Sequence, residues 1–463
     1  MKTVSSYIPK NIFFTLLLVL GLTVSSIAQN KQISDYKDEA NKLIETIMAD
    51  DESFEYLTYF ADTFGHRFSG SESLENSIDW ILKEMHKDGF DYVGTQKVMV
   101  PHWIRGEESA TMTTPRTKNL PMLGLGGSVG TPKGGIEAEV LVVSSFDDLK
   151  KKAKQAEGKI VLYNVPFTSY GQTVRYRING AVEAAKVGAV ASLIRSVAPY
   201  SMKTPHTGTS SYAEGVNKIP HAAITLEDAG LISRMSDRGE TIRIKLEMDA
   251  KTLPDVESRN VIAEIKGSEY PEEIIVLGGH IDSWDVGQGV MDDAGGCLAA
   301  WEALRAMKEL GLQPRRTIRV VMWTNEENGL RGGNTYRDSV MADGSLDDHV
   351  LAMESDSGVF DPLGFGFTGS DEAFEMIKEI GKLLKPVGSD SITRGGGGAD
   401  IGPIMREGVP GMGLRVDGSR YFWYHHTAAD TIDKLDAEEY KECIATMAVM
   451  AYVAADMPER LPR

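Results

Sequence analysis

At 463 residues the chain exceeds what one ordinary hydrophobic core supports, and its 42% hydrophobic content is that of a globular protein. Two domains, or one domain carrying a large insertion, are therefore expected. A formal charge of −18, from 49 basic and 67 acidic residues, argues against nucleic acid as a partner, since no cluster of Lys and Arg is present to meet a phosphate backbone.

Lys2 and Lys10 precede the apolar run Ile12 to Leu22, and small residues lead through Ser26 to Ala28. That pattern is a secretory signal peptide over 1–28, which assigns the mature protein to the periplasm or the extracellular medium. The run is short for a membrane span and residue 29 is Gln rather than Cys, so no stable membrane anchor is expected. Ala40, Leu43, Ile44 and Ile47, then Leu74, Ile78, Ile81 and Met85, recur at helical spacing and predict two amphipathic helices. Between them Gly65 to Gly70 reads as an irregular loop in which His66 is a structural hydrogen-bonder. Val93 to Val100 reads as a strand.

From Arg105 the character changes to short strands, glycines and prolines. Gly124 to Gly130 fits neither a dinucleotide nor a P-loop spacing and reads as turns. Glu139 to Val143, Lys159 to Val165 and Ala189 to Ile194 are predicted strands, Gly180 to Lys186 a helix, and the alternating Ile242, Ile244 and Leu246 a closing strand. His206 and His221 lie here without a carboxylate cluster and are read as structural. Cys297 and Cys443, the two cysteines, sit in apolar helical contexts and are expected as buried free thiols.

After Arg259, strands over Asn260 to Ile265, Ile274 to Leu277 and Thr317 to Trp323 alternate with helices over Asp293 to Leu310, Ala373 to Leu384 and Asp436 to Met457. Such alternation predicts an α/β fold, a mostly parallel mixed sheet sandwiched by helices. Its apolar runs end in metal-ligand types: His280 and Asp282 after the run to Leu277, Glu326 and Glu327 after Trp323, Glu354 and Asp356 after Met353, with Asp292 and Asp293 between and His425, His426 and Asp430 near the end. Ligands bind at the carboxyl ends of strands in open α/β sheets, so the recurrence points to a metal site. Alternation puts His280 and Asp282 on one face, where the Asp282 carboxylate would fix the His280 tautomer through its second ring nitrogen. Adjacent glutamates at a strand end project to opposite sides, so one can bind metal while the other acts as general base. Asp430 either supports His426 or begins a turn. Arg394, before four glycines, either pairs with a substrate carboxylate or is a solvated loop residue.

His280-x-Asp282, Asp292-Asp293, Glu326-Glu327, Glu354-Ser-Asp356 and His426-Thr-x-x-Asp430 resemble the signature of the co-catalytic di-zinc exopeptidases, the group of aminopeptidase Y and the glutamate carboxypeptidases. The resemblance implies a zinc exopeptidase fold over 29–104 and 251–463, with a protease-associated domain inserted over 105–250. It implies two zinc ions bridged by Asp292, one completed by His280 and Asp356, the other by Glu327 and His426. Glu326 then activates a metal-bridging water, Asp282 orients His280, and His425 is either an oxyanion donor or a packing residue. The implied function is hydrolysis of dipeptides or short peptides by a homodimer. Two further readings are a non-catalytic binding ectodomain on the same scaffold and a single-zinc enzyme like glutaminyl cyclase.

Overall fold

The computed structural model describes Met1 and residues 31–463. The leader expected over 1–28 therefore lies, Met1 apart, outside the described residues. Two eight-stranded sheets carry the chain. In the first, the strands Tyr92–Ile104, Lys251–Ile265, Arg316–Trp323, Tyr270–His280, His349–Glu354, Gly411–Val416, Pro362–Thr368 and Ser391–Arg394 lie side by side in that order. The four from Arg316–Trp323 to Gly411–Val416 are parallel to one another, while Lys251–Ile265 and Pro362–Thr368 pair antiparallel with their inner neighbours. The sheet is thus mixed and parallel at its centre.

Its central strands read as unbroken apolar runs because both faces are covered. Ile275, Leu277, Ile318, Val320, Met322, Leu351 and Met353 face one layer, built from Lys37–Met48, Glu52–Phe64, Glu72–Asp88, Gly295–Glu309 and Ala437–Asp456. Ile274, Val276, Val321, Trp323 and Ala352 face the other, where Tyr336 and Val340 of Arg331–Ala342 and Ile404 of Gly402–Arg406 pack. Ala437–Asp456 lies at the heart of the first layer, buried almost continuously from Tyr440 to Ala455.

The sequence predicts two N-terminal helices; the structure has a further one, Glu52–Phe64, between them. Its aromatic residues are spread around the helix, which obscures a single apolar stripe: Phe60 is in the core, while Tyr56 and the exposed Tyr59 pack with tilted rings against Trp80. The strand expected over Val93 to Val100 runs from Tyr92 to Ile104, and the one expected over Asn260 to Ile265 starts at Lys251. Each supplies the other's hydrogen bonds, antiparallel from Tyr92 opposite Glu264 to Ile104 opposite Lys251, with one shift of register between Val100 and His102. Pairing of this kind extends segments that hydrophobic alternation alone leaves short.

All strands of the second sheet come from 108–248, in the order Lys118–Leu120, Glu108–Thr114, Arg243–Met248, Ile136–Val143, Ile160–Tyr163, Ala191–Arg195, His221–Ile224 and Met122–Gly124. The chain leaves the first sheet at Ile104 and returns at Lys251, its register partner. The helix expected over Gly180 to Lys186 is longer, Tyr170–Lys186; polar residues and Gly171 mask its first turns. Cys297 and Cys443 are both buried and unbonded. Met450, wholly buried in the central helix, is a measure of this core: Met450→Ala should cost about 2–5 kcal/mol, read as a lower urea midpoint.

Candidate active site

His280 ends the strand Tyr270–His280, Glu326 and Glu327 follow Arg316–Trp323, and Asp356 follows His349–Glu354. Three neighbouring parallel strands thus deliver their polar ends to one place. Asp292 arrives on the turn Val290–Ala294 before the helix Gly295–Glu309, and His425 and His426 follow the short helix Tyr421–Tyr424. The Asp292–Asp293 peptide is cis. Close approach is needed here: a Cβ on Gly279 would collide with the Asp293 carboxylate.

Asp292 stands in the middle. Its Oδ1 lies 3.2 Å from His280 Nε2 and its Oδ2 3.2 Å from His426 Nε2. Asp356 Oδ1 is 3.4 Å from His280 Nε2, and Glu327 Oε2 is 3.0 Å from His426 Nε2. His280, Asp292 and Asp356 form one cluster of donor atoms able to hold a metal ion, and Asp292, His425 and His426 form another. His425 stacks on His426 with ring centroids 3.5 Å apart and puts its Nε2 3.7 Å from Asp292 Oδ2. The second cluster has one further group at hand, Glu327 against His426.

The tautomer of His280 is set differently from the sequence expectation. Its Nδ1 donates to the backbone carbonyl of Asp282 at 2.9 Å, while the Asp282 carboxylate stands 3.8 Å away. That carboxylate instead accepts from the amides of Glu326 at 3.0 Å and Glu327 at 3.4 Å. The turn after His280 brings the carbonyl closer than the side chain, so Asp282 positions the two glutamates. Asp430 neither supports His426 nor simply starts a turn: its carboxylate accepts from the amides of Val290, Met291 and Asp292 at 3.1, 2.8 and 3.3 Å. Asp293 accepts from the amides of His280 and Gly296.

Arg394 is half exposed, pairs with Asp371 at 2.6 Å and lies over the Phe374 ring. It does not converge on the site. The glycines after it pack down, since a Cβ on Gly398 would strike the Glu354 carboxylate. His66 is exposed, and the residue beside it matters more. Arg67, fully buried, donates to the carbonyls of Gly65, Ile281, Gln288 and Gly289 at 2.8 Å each, tying the loop after His280 to the turn before Asp292. A lone Arg between Gly65 and Gly70 was its one signal in the sequence. His221 is enclosed by the carbonyls of Ser192 and Arg177, a structural role. His206 and Arg177, by contrast, reach the site. His206 Nδ1 donates to the His425 carbonyl at 2.8 Å, and the buried Arg177, 3.4 Å from His426 Nδ1, donates to the Tyr170 hydroxyl.

So many buried carboxylates repel one another, and the pKa directions show it. Burial and the Asp292 charge push Glu327 up to about 7, burial and Asp356 push Glu354 up to about 7, and Glu326 is held well above the usual range by burial, Asp356 and Glu327. Burial would lower His426, yet Glu327 and Asp292 raise it to about 9. Asp292 Oδ2 is buried without a hydrogen-bond partner. Buried carboxylates and imidazoles gathered around an oxygen that no hydrogen bond satisfies are the donor set of a bound cation, and these residues fit zinc.

Residues 260–451 match the profile of Peptidase family M28. The chain is 50% identical to carboxypeptidase Q of Mus musculus over 436 residues, covering 94% of this chain and 92% of that protein. The chain belongs to peptidase family M28. Among solved structures, a peptidase M28 precursor from Shewanella amazonensis superposes with a TM-score of 0.89 at 34% identity, covering 93% of this chain and 99% of that one. A zinc aminopeptidase from Bacillus subtilis shares the fold, with a TM-score of 0.66 at 20% identity over 88% of this chain and 94% of its own.

Asp430 gives the geometry a test, because it touches no other candidate metal group yet holds the Asp292 backbone. Asp430→Ala should weaken zinc binding about 10–100-fold, read by competition with a chelator of known affinity, with activity recovered at high zinc.

Proposed function

We propose that the protein is a zinc metallo-exopeptidase that holds two ions and hydrolyses dipeptides or short peptides. The observation that carries this reading is the division of Asp292 between His280 on one oxygen and His426 on the other. One ion would be held by His280, Asp292 and Asp356, the second by Asp292, Glu327 and His426. Bound zinc supplies a Lewis acid for the scissile carbonyl and acidifies the attacking water.

The side chains do the rest. Glu326 is the only partly exposed member of its pair, so its carboxylate faces the cleft while Glu327 turns inward to His426. It takes the proton of the attacking water and returns it to the leaving amine. Asp282 fixes that placement by gripping the Glu326 amide. His425 is buried against Asp292, and burial and the neighbouring His426 hold its pKa well below the usual value, so it is a neutral donor for the developing oxyanion. The leader over 1–28 assigns the enzyme to export, and 105–250 is an inserted unit of protease-associated type whose return to Lys251 beside Ile104 supports that division. Among the described residues no helix is long and apolar enough to cross a membrane.

Hydrolysis of a free dipeptide panel, alongside amino-blocked and carboxyl-blocked versions, tests the reading. Cleavage should vanish after chelation and return with zinc, and the blocked version that resists should name the terminus the enzyme requires. Zinc-loaded, folded protein that cleaves no peptide would instead favour a binding ectodomain. Glu326→Gln should lower kcat by about 10²–10⁴ while zinc content, measured by elemental analysis, stays at the wild-type level.

A further inference from the structure

The two halves of the site are not supported alike. His426 adopts φ +60°, a left-handed conformation unfavourable for any residue with a Cβ, and something must hold it there. Thr207, on the connection between the strands Ala191–Arg195 and His221–Ile224 of the second sheet, brackets it. The Thr207 amide donates to the His426 carbonyl at 3.0 Å, and His426 Nδ1 donates to the Thr207 carbonyl at 3.3 Å. With its proton on Nδ1, the imidazole turns Nε2 toward Asp292 and Glu327. Next to it, His206 Nδ1 donates to the His425 carbonyl, and the Thr209 hydroxyl donates to the Glu327 carbonyl at 2.7 Å.

This short segment is itself fixed from behind. The His206 amide donates to Ser196 Oγ, the Thr207 hydroxyl to the Gly124 carbonyl, and the Ser210 amide to the Gly126 carbonyl. Arg105, paired with Asp285 of the loop after His280, also donates to the Thr207 hydroxyl at 3.2 Å. Among the described residues, neither the side chain of His280 nor that of Asp356 takes a hydrogen bond from 105–250.

We propose that His206, Thr207 and Thr209 are positioning residues for one metal ion of the pair. The 105–250 unit thereby completes the half-site of Glu327 and His426, while the half-site of His280 and Asp356 stands without it. The proposal rests on the two-ion reading above. Its consequence is graded metal loss: loosening this segment releases one ion first and turns a two-zinc site into a one-zinc site.

The test uses the full-length protein, zinc-loaded, with zinc per chain measured as buffered free zinc is lowered. Thr209→Val keeps the shape and removes the hydroxyl. It should release one ion at about 10–100-fold higher free zinc than the wild type and keep the other at wild-type affinity. Thr209→Ser should restore both, and the melting temperature of the metal-free protein should not move. His206→Leu should repeat the selective loss, and His206→Asn, which retains a donor near the Nδ1 position, should reverse it. Two ions held at wild-type affinity in both Thr209→Val and His206→Leu, or two ions released together, would overturn the proposal. A wild-type protein that binds fewer than two zinc ions would overturn the two-ion reading itself, and that result is visible before any variant is made.

Discussion

Mutual repulsion among buried carboxylates is the constraint on which this structure turns. Asp282, Asp292, Asp293, Glu327, Glu354, Asp400 and Asp430 are all buried within or beside one site, and a buried anion is costly unless it is hydrogen-bonded, paired or bound to a cation. The protein meets most of that cost with backbone amides. Asp282 takes those of Glu326 and Glu327, Asp430 those of Val290 to Asp292, Glu354 those of Asp400 and Ile401. Two groups are left over: Asp400, whose carboxylate oxygens have no hydrogen-bond partner, and Asp292, which stands between two imidazoles with one oxygen unsatisfied and is the one placed to meet a metal.

Amide grips of this kind need backbone where side chains would ordinarily stand, which explains the glycines. Gly278 and Gly279 let the metal-bearing strand approach Val321 and Asp293, and Gly296 leaves room for Asp293 at the start of the following helix. Arg67 serves the same end from a distance. Its guanidinium meets four carbonyls and no carboxylate, so it organises the 281–289 loop without neutralising the ligand charge that a cation requires.

The two sheets divide the work. The first, covered on both faces, supplies rigid parallel strands whose ends fix His280, Glu326, Glu327 and Asp356. The second reaches across with the 206–210 segment and with Arg177, which brings a buried positive charge to the back of His426. The cationic residue that sequence pattern made conspicuous, Arg394, lies at the surface over Phe374 instead. A run of glycines looks like a ligand loop in one dimension. In three dimensions it is the packing solution that lets Gly396 pass Gly366 and Gly398 pass Glu354.

The sequence by itself determined the strand-end placement of histidines and acids, the parallel core and the family resemblance, because apolar runs of β-branched residues followed by polar ligands are local patterns. It also showed a change in character from Arg105 onward, to short strands, glycines and prolines. Local pattern could not decide which oxygen faces which nitrogen. Asp282 was legible as an acid near His280, but only the turn geometry sends its carboxylate to the amides of Glu326 and Glu327 rather than to the ring. Arg67 and Ile281, 214 residues apart, and Thr209 and Glu327, 118 residues apart, meet because the chain folds back on itself. Hydrogen bonds across such separations leave no periodicity in the sequence, so the support around the metal site belongs to the tertiary structure, while the residues it supports were already visible in the chain.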